Sequence, residues 1–301
     1  MTTNDASAPP SGVIHNLAYQ RYQGGRRAPW WRVLVIARYA LITQWRQRGV
    51  RLSLLAALLF AVVAGAAGGG QGGFTSMMER EAMGAGGALR ALFEGDAEAA
   101  VWALRMQFIP GLLLVLQCGA PAISADLNAG AFQFHFSRPV TVPQYLLGRM
   151  LSATAWASLA MVSTLALLCA VRAGVSGRAL EMAAVFAKAL GPTLGRAAAL
   201  GALSLGVSSL TRRRGIAQAM FVAMVIGPML VASILAGTME KRWLAALDLG
   251  GASAMLMGQL LGDGRLQGAA ALVPGLSLLA WIALPLALAS WRLSTAEVVR
   301  G

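Results

Sequence analysis

The sequence predicts an all-α membrane protein in which six transmembrane helices follow an N-terminal amphipathic helix lying at the membrane surface. Three observations carry this reading. The chain is 57% hydrophobic and 12% charged, with mean hydropathy +0.63, against about 25% charged for an average soluble protein. Six apolar runs are long enough to be spans. The basic residues gather in the segments between those runs. A soluble chain this apolar lacks the polar groups to cover its surface, so the composition requires lipid as solvent.

Residues 1–29 form an N-terminal tail. Its first dozen positions are small and polar with Pro9 and Pro10, a composition that predicts disorder. Arg21, Arg26 and Arg27 follow around Gly24 and Gly25. Residues 30–50 read as the interfacial helix. Val33, Ile36, Ala37, Ala40, Leu41 and Gln44 share one side. Arg32, Arg38 and Arg46 punctuate the helix, and Trp30, Trp31, Tyr39 and Trp45 supply the aromatics favoured at the headgroup level.

The transmembrane domain, 51–301, holds spans at about 52–72, 106–123, 145–171, 191–210, 216–238 and 271–291. The run from Leu52 to Gly68 reaches about 26 Å at roughly 1.5 Å per residue, and the glycines that follow extend it. No cleavable signal precedes it. Pro110, Pro121, Pro228, Pro274 and Pro285 fall in spans and predict kinks, tolerated where neighbouring helices satisfy the freed carbonyls. The many Gly, Ala and Ser residues suit close helix packing.

Lysine and arginine set the orientation. With the N-terminus in the cytoplasm, the inner segments hold Arg21 to Arg51, Arg138, Arg149, the triplet Arg212–Arg213–Arg214, Arg292 and Arg300, more than half of the 25 basic residues. Glu79, Glu81, Glu94, Asp96, Glu98, Glu181, Glu240, Asp248 and Asp263 collect on the other side. Both patterns put both termini in the cytoplasm. The outer loops are long: 69–104 carries a surface helix from Ala88 to Trp102, and 239–270 is too broken by Asp248 and Gly250–Gly251 to span, so it reads as short surface or re-entrant helices.

Several function classes drop out. Nucleic-acid binding needs basic residues on one water-facing surface, and here the +13 charge is spread between spans. The two histidines, His15 and His135, lie outside the spans, so no metal set or nucleophile–base pair faces the membrane interior. Cys118 and Cys169 lie in apolar runs and read as packing residues. An ion-coupled carrier usually keeps acidic relays in its spans, and these spans lack Asp and Glu. No G-x-x-x-x-G-K-[ST] occurs, so any energy from ATP is expected on another chain. The deepest charge is Arg196 in the fourth span, a possible contact for a pathway or a lipid headgroup that is expected to snorkel outward.

The segment at 123–143, between spans two and three, is too apolar for a simple loop. A helix start at Ser124 or Asp126 leads through Leu127 and Gly130 to alternating Phe132, Phe134 and Phe136, then Ser137–Arg138–Pro139 and a return to lipid at Tyr145. Exposed aromatics beside a short helix offer a surface to a partner protein. Ile123, Asp126, Gly130, Ser137–Arg138–Pro139 and Tyr145–Leu146–Leu147–Gly148–Arg149 resemble the matching segment of the permeases of type-2 ABC transporters. Ile14 to Arg26 is also similar to the lead-in of the interfacial helix in one branch of that family. The chain departs in having Arg149 for the usual lysine, and Asn128 where relatives carry a charge.

The resemblance implies an exporter-type, six-span half-transporter in the inner membrane of a bacterium. It implies two copies, or this chain with a related permease, and two copies of a separate ATP-binding subunit that holds the ATP and Mg. The permease itself would be non-catalytic and bind no cofactor. Ser124, Asp126, Leu127, Gly130, Phe132, Phe134, Phe136, Arg138 and Pro139 would form the coupling segment to the ATPase. The pathway would be lined from spans one, two and five. A non-transporting anchor, scaffold or sensor with the same fold is the alternative, ahead of an ion-coupled carrier.

Overall fold

The computed structural model describes residues 28, 30–69, 101, 104–132, 140–239, 242–262 and 268–298, and among them the chain is all-helical with no strand. In order, α1 spans Trp30–Trp45, α2 Arg48–Gly69, α3 Phe108–Cys118, α4 Ala122–Asn128, α5 Val142–Ser176, α6 Ala179–Ser208, α7 Arg214–Thr238, α8 Leu249–Leu260 and α9 Val273–Val298. Tighter 3-10 turns at Arg242–Leu247 and Gly268–Leu272 lead into α8 and α9. Four stretches are long and apolar enough to cross a membrane: Leu104–Asn128, Val142–Gly174, Arg214–Thr238 and Ala270–Thr295. They make this a multi-pass membrane protein. The expected spans at 52–72 and 191–210 coincide with α2 and with the second half of α6, whose apolar character is diluted by Pro192, Arg196 and its glycines.

α6 is the centre of the bundle. From Ala197 to Ser208 it is rich in Ala, Gly and Ser, with Leu200, Leu203 and Leu205 between them, and nearly all of these residues are buried. Lipid is as apolar as leucine, so spanning helices gain by close backbone approach rather than by hiding from solvent. A Cβ on Gly206 would stand 2.7 Å from Pro285 Cβ and 3.0 Å from its backbone. Only glycine at that position lets α9 lie against α6. α7 and α9 are peripheral, burying 17% of their most apolar stretch against 44% for α5, and so face lipid or a partner.

The element boundaries correct the expected ones in three places. α5 starts at Val142 rather than 145, because Thr141 and Gln144 form a capping box in which the Thr141 amide donates to Gln144 Oε1 at 3.2 Å. At 35 residues it is about 52 Å long, well beyond a ~30 Å hydrocarbon core, so it projects from the membrane. α6 starts at Ala179, 12 residues before the expected span at 191–210, and runs into it as one helix. Of the two expectations for 239–270, the surface helix is corrected: α8 is short, as expected, but buries Leu249, Ala252, Ser253, Ala254, Met257 and Gly258. Asp248 caps α8 by accepting from the Gly251 amide at 3.0 Å, so Gly250 and Gly251 lie in its first turn instead of breaking it. The expected tail and nearly all of the expected helix at 88–102 lie outside the described residues.

Candidate functional site

The end of the bundle that carries α1 and α4 is held together by polar contacts between helices. In α1, the buried Ala37, Ala40 and Gln44 and the half-buried Val33, Ile36 and Leu41 form one face. Trp30, Trp31 and Trp45 are 56%, 42% and 50% exposed, and Arg38 is also exposed. The buried face lies on α5. Gln44 Nε2 donates to the Cys118 carbonyl at 3.1 Å, and Gln44 Oε1 accepts from the Trp156 indole at 2.9 Å. Trp45 stacks on Trp156 with ring centres 5.6 Å apart. One buried amide thus ties α1 to α3 and α5. Gln44→Leu leaves the Trp156 N–H and the Cys118 carbonyl without this partner, and is expected to cost about 1–3 kcal/mol. A thermal-unfolding midpoint in detergent equal to wild type would contradict that role.

α4 sits on the same end of the bundle. Ile123 is fully buried among Val142, Tyr145, Leu146 and Leu205, with Leu127 and Phe132 packed against that cluster. The expected helix start at Ser124 or Asp126 is corrected: α4 begins at Ala122. Its cap comes from another helix. The amides of Ile123 and Ser124 both donate to Ser208 Oγ, at 3.1 and 2.9 Å, satisfying two orphan donors of the helix start. Ser124 Oγ donates to the Pro121 carbonyl at 3.2 Å.

Asp126 then locks α4 to the foot of α5. Its Oδ2 accepts from the Tyr145 hydroxyl at 2.5 Å and from Arg149 Nη2, in an ion pair whose side chains each stay 17% exposed. Tyr145 and Arg149 are one helical turn apart, so α5 presents both to the same carboxylate. The Arg149 guanidinium lies 5.5 Å from the Tyr145 ring centre, and Phe132 meets that ring edge-on at 5.4 Å. A Cβ on Gly148 would meet Ile36 side-chain carbons at 2.7 Å and the Val33 carbonyl at 3.0 Å, so glycine there is what seats α1 against α5. Gly130, at φ 65°, turns the chain out of α4 in a conformation that favours glycine.

The chain matches no protein-family model and no curated protein.

Of the expected coupling residues, the structure brings Ser124, Asp126, Leu127, Gly130 and Phe132 together on and just after α4. Phe134, Phe136, Arg138 and Pro139 lie outside the described residues. Arg196 stands apart from this site, and the expectation that it snorkels is corrected. It is 1% exposed. Its Nε donates to Ser253 Oγ at 2.6 Å and Nη2 to the Gly250 carbonyl at 2.8 Å, while Nη1 donates to the Leu104 carbonyl. Phe108 lies beneath the guanidinium, 5.7 Å from ring centre to Cζ. Nearby Asp248 is 7% exposed; burial pushes its carboxyl up, against the opposing pull of the Gly251 and Gly250 amides and of Arg196.

Sequence reasoning put Gln44 on the packed face of α1 but passed over two other features. Ser208 is a polar residue inside an apolar segment, a signal that it needs a buried partner. An open groove of about 720 Å³ runs between α3 and α7, with Gln117 and Gln218 in its wall. Gln218 Nε2 donates to the Leu116 carbonyl at 3.1 Å, which fixes the amide at the groove's edge.

Proposed function

We propose that the chain is the membrane-spanning permease of a type-2 ABC exporter, with α2 and α6 completing six spans and both termini in the cytoplasm. The observation that carries this reading is the lock of Asp126 on Tyr145 and Arg149. Together with Ile123, Gly130 and Gly148, these are residues by which the segment resembles that family, and each does identifiable mechanical work. A segment that receives force from an ATPase must not slide on the helix it drives. The double hydrogen bond to Asp126 fixes α4 on α5, and the Ser208 cap fixes it on α6. α5 carries α1 through Gly148 and Gln44, so α1, α4 and α5 move as one body.

The mechanism follows from that rigidity. Two ATP-binding subunits dock under two permease copies and grip the segment from α4 through Phe132, Phe134 and Phe136. When ATP draws the motor subunits together, α4 is pushed with them. The displacement passes along the roughly 52 Å of α5 as a rigid-body movement and alters the pathway between the copies. The motor supplies the ATP chemistry; this chain converts movement into access.

Affinity purification from native membranes tests the proposal. The wild-type chain is expected to elute with an ATP-binding subunit and ATPase activity, and Phe134→Asp to lose both while remaining in the membrane. A wild-type chain that elutes with no ATPase, together with a Phe134→Asp variant that changes nothing, would remove the reading. Retained ATPase without cargo movement in vesicles would instead favour a sensor or scaffold.

A further inference from the structure

From Ala28 to Gly69 the sequence holds five arginines and no acidic residue. Two of them, Arg48 and Arg51, stand in the first turn of α2. A helix favours acids rather than cations there, so its own stability does not call for them. Both are exposed, and among the described residues no carboxylate lies within ion-pair distance of either. Arg46, also exposed, precedes the helix by two positions. Further along α2, Leu55, Leu58, Leu59 and Val62 are 63%, 39%, 67% and 56% exposed. At about 100° per residue, these four side chains and the two arginines fall within one arc of roughly 100°. A different side of α2 packs on the bundle, where Val50, Leu54 and Ala57 meet Leu114 of α3 and Trp156 of α5. From Arg51 to Val62 the helix rises about 16 Å, close to half of a ~30 Å hydrocarbon core. The free face of α2 is thus a cationic head on an aliphatic strip one leaflet deep.

We infer that this face docks an anionic glycerophospholipid of the surrounding bilayer, with its phosphate at Arg48 and Arg51 and one acyl chain along Leu55, Leu59 and Val62. Charge decides the occupant. A zwitterionic lipid brings a cation of its own to the headgroup level. A net-negative one meets arginines that no side chain neutralises, and each such residue strengthens binding about five-fold. A free phosphate would leave the aliphatic strip uncovered. A second copy of the chain, set against this face through its own α2, would bring arginine against arginine with no acid between them. The positive-inside rule accounts for charge at this end of a span, but it makes no demand on which lipid sits there. The inference goes beyond the permease reading and takes from it only that α2 crosses the membrane.

The test uses the full chain in phosphatidylcholine nanodiscs doped with phosphatidylglycerol or phosphatidylcholine carrying an acyl diazirine, the attachment sites being mapped by peptide mass spectrometry. The anionic probe is expected to label 52–62 about ten-fold more than the zwitterionic one. Both should label the exposed Leu276, Leu279 and Leu284 of α9 equally. In Arg48→Gln combined with Arg51→Gln the preference on α2 should fall to near parity. Wild type at about 1 M salt, where the Debye length is about 3 Å, should also lose most of it, which frees the result from the folding of a variant. Equal labelling by the two probes, or a preference that survives both the double variant and salt, would mean ordinary surrounding lipid and overturn the inference. Copy-to-copy cross-linking of Leu59→Cys with no label on α2 would make the face a seam between proteins and overturn it as well. The preference without a co-eluting ATPase keeps the lipid site and removes the permease. A co-eluting ATPase without the preference does the reverse.

Discussion

Asp126→Ala is expected to destabilise the protein by about 3 kcal/mol and to reduce recovery of a partner ATPase about ten-fold. The substitution leaves the Arg149 guanidinium largely buried with no carboxylate, and the Tyr145 hydroxyl without an acceptor. Breaking a buried ion pair from one side costs about 3–5 kcal/mol, and the residual 17% exposure of each partner draws the figure to the lower end. Asp126→Asn keeps an acceptor for Tyr145 but loses the charge, so its loss should be smaller. Asp126→Ala combined with Arg149→Leu removes the uncompensated charge, and should regain stability relative to Asp126→Ala alone. Thermal unfolding in detergent reads the first effect, and ATPase recovered per chain reads the second.

The double variant separates structure from coupling. If Asp126 serves only to hold the fold, restoring stability restores ATPase recovery. If it positions α4 for a motor, the stable double variant still recovers less ATPase, because α4 is no longer fixed to α5. Full recovery in both measurements would show the lock to be ordinary packing.

Much of this end of the molecule was legible in the sequence because its signals are local. The face of α1 running from Val33 to Gln44 follows the helical period, and the four-residue spacing of Tyr145 and Arg149 places both on one side of α5. The start of α5 was equally legible in Thr141, Pro143 and Gln144, but the sequence reading gave weight to apolarity and began the span at Tyr145. What spacing does not reveal is pairing across helices. Asp126 is separated from Arg149 by 23 positions, and Ser208 reaches the amides of α4 from 84 and 85 positions away. The merging of α6 into one helix from Ala179 also escaped a reading by span length. Lys188, Pro192 and the glycines dilute its apolarity, and Pro192 removes one backbone hydrogen bond, yet the helix continues through them because its neighbours pack against it. The segment 239–270 misled for a related reason: Asp248 and two glycines read as a break, whereas Asp248 caps α8 and Gly251 leaves room for the Ala245 carbonyl.

Arg196→Leu is expected to destabilise the protein by about 3–5 kcal/mol, the cost of leaving a buried network without its central donor. Three acceptors lose their donor at once: the Leu104 carbonyl, the Gly250 carbonyl and Ser253 Oγ. The first belongs to the start of the stretch leading into α3 and the other two to α8, so the guanidinium pins both to α6. Backbone carbonyls carry no sequence signal, which is why the residue looked like a lone charge seeking the membrane surface. Arg196→Lys should recover less than half of the loss, because a single ammonium lacks the planar fork that reaches acceptors in three directions. Solubilised yield and thermal midpoint are the deciding measurements, since a pathway arginine makes the opposite prediction. It would leave both unchanged while transport fails, and that outcome would return Arg196 from the framework of the bundle to its pathway.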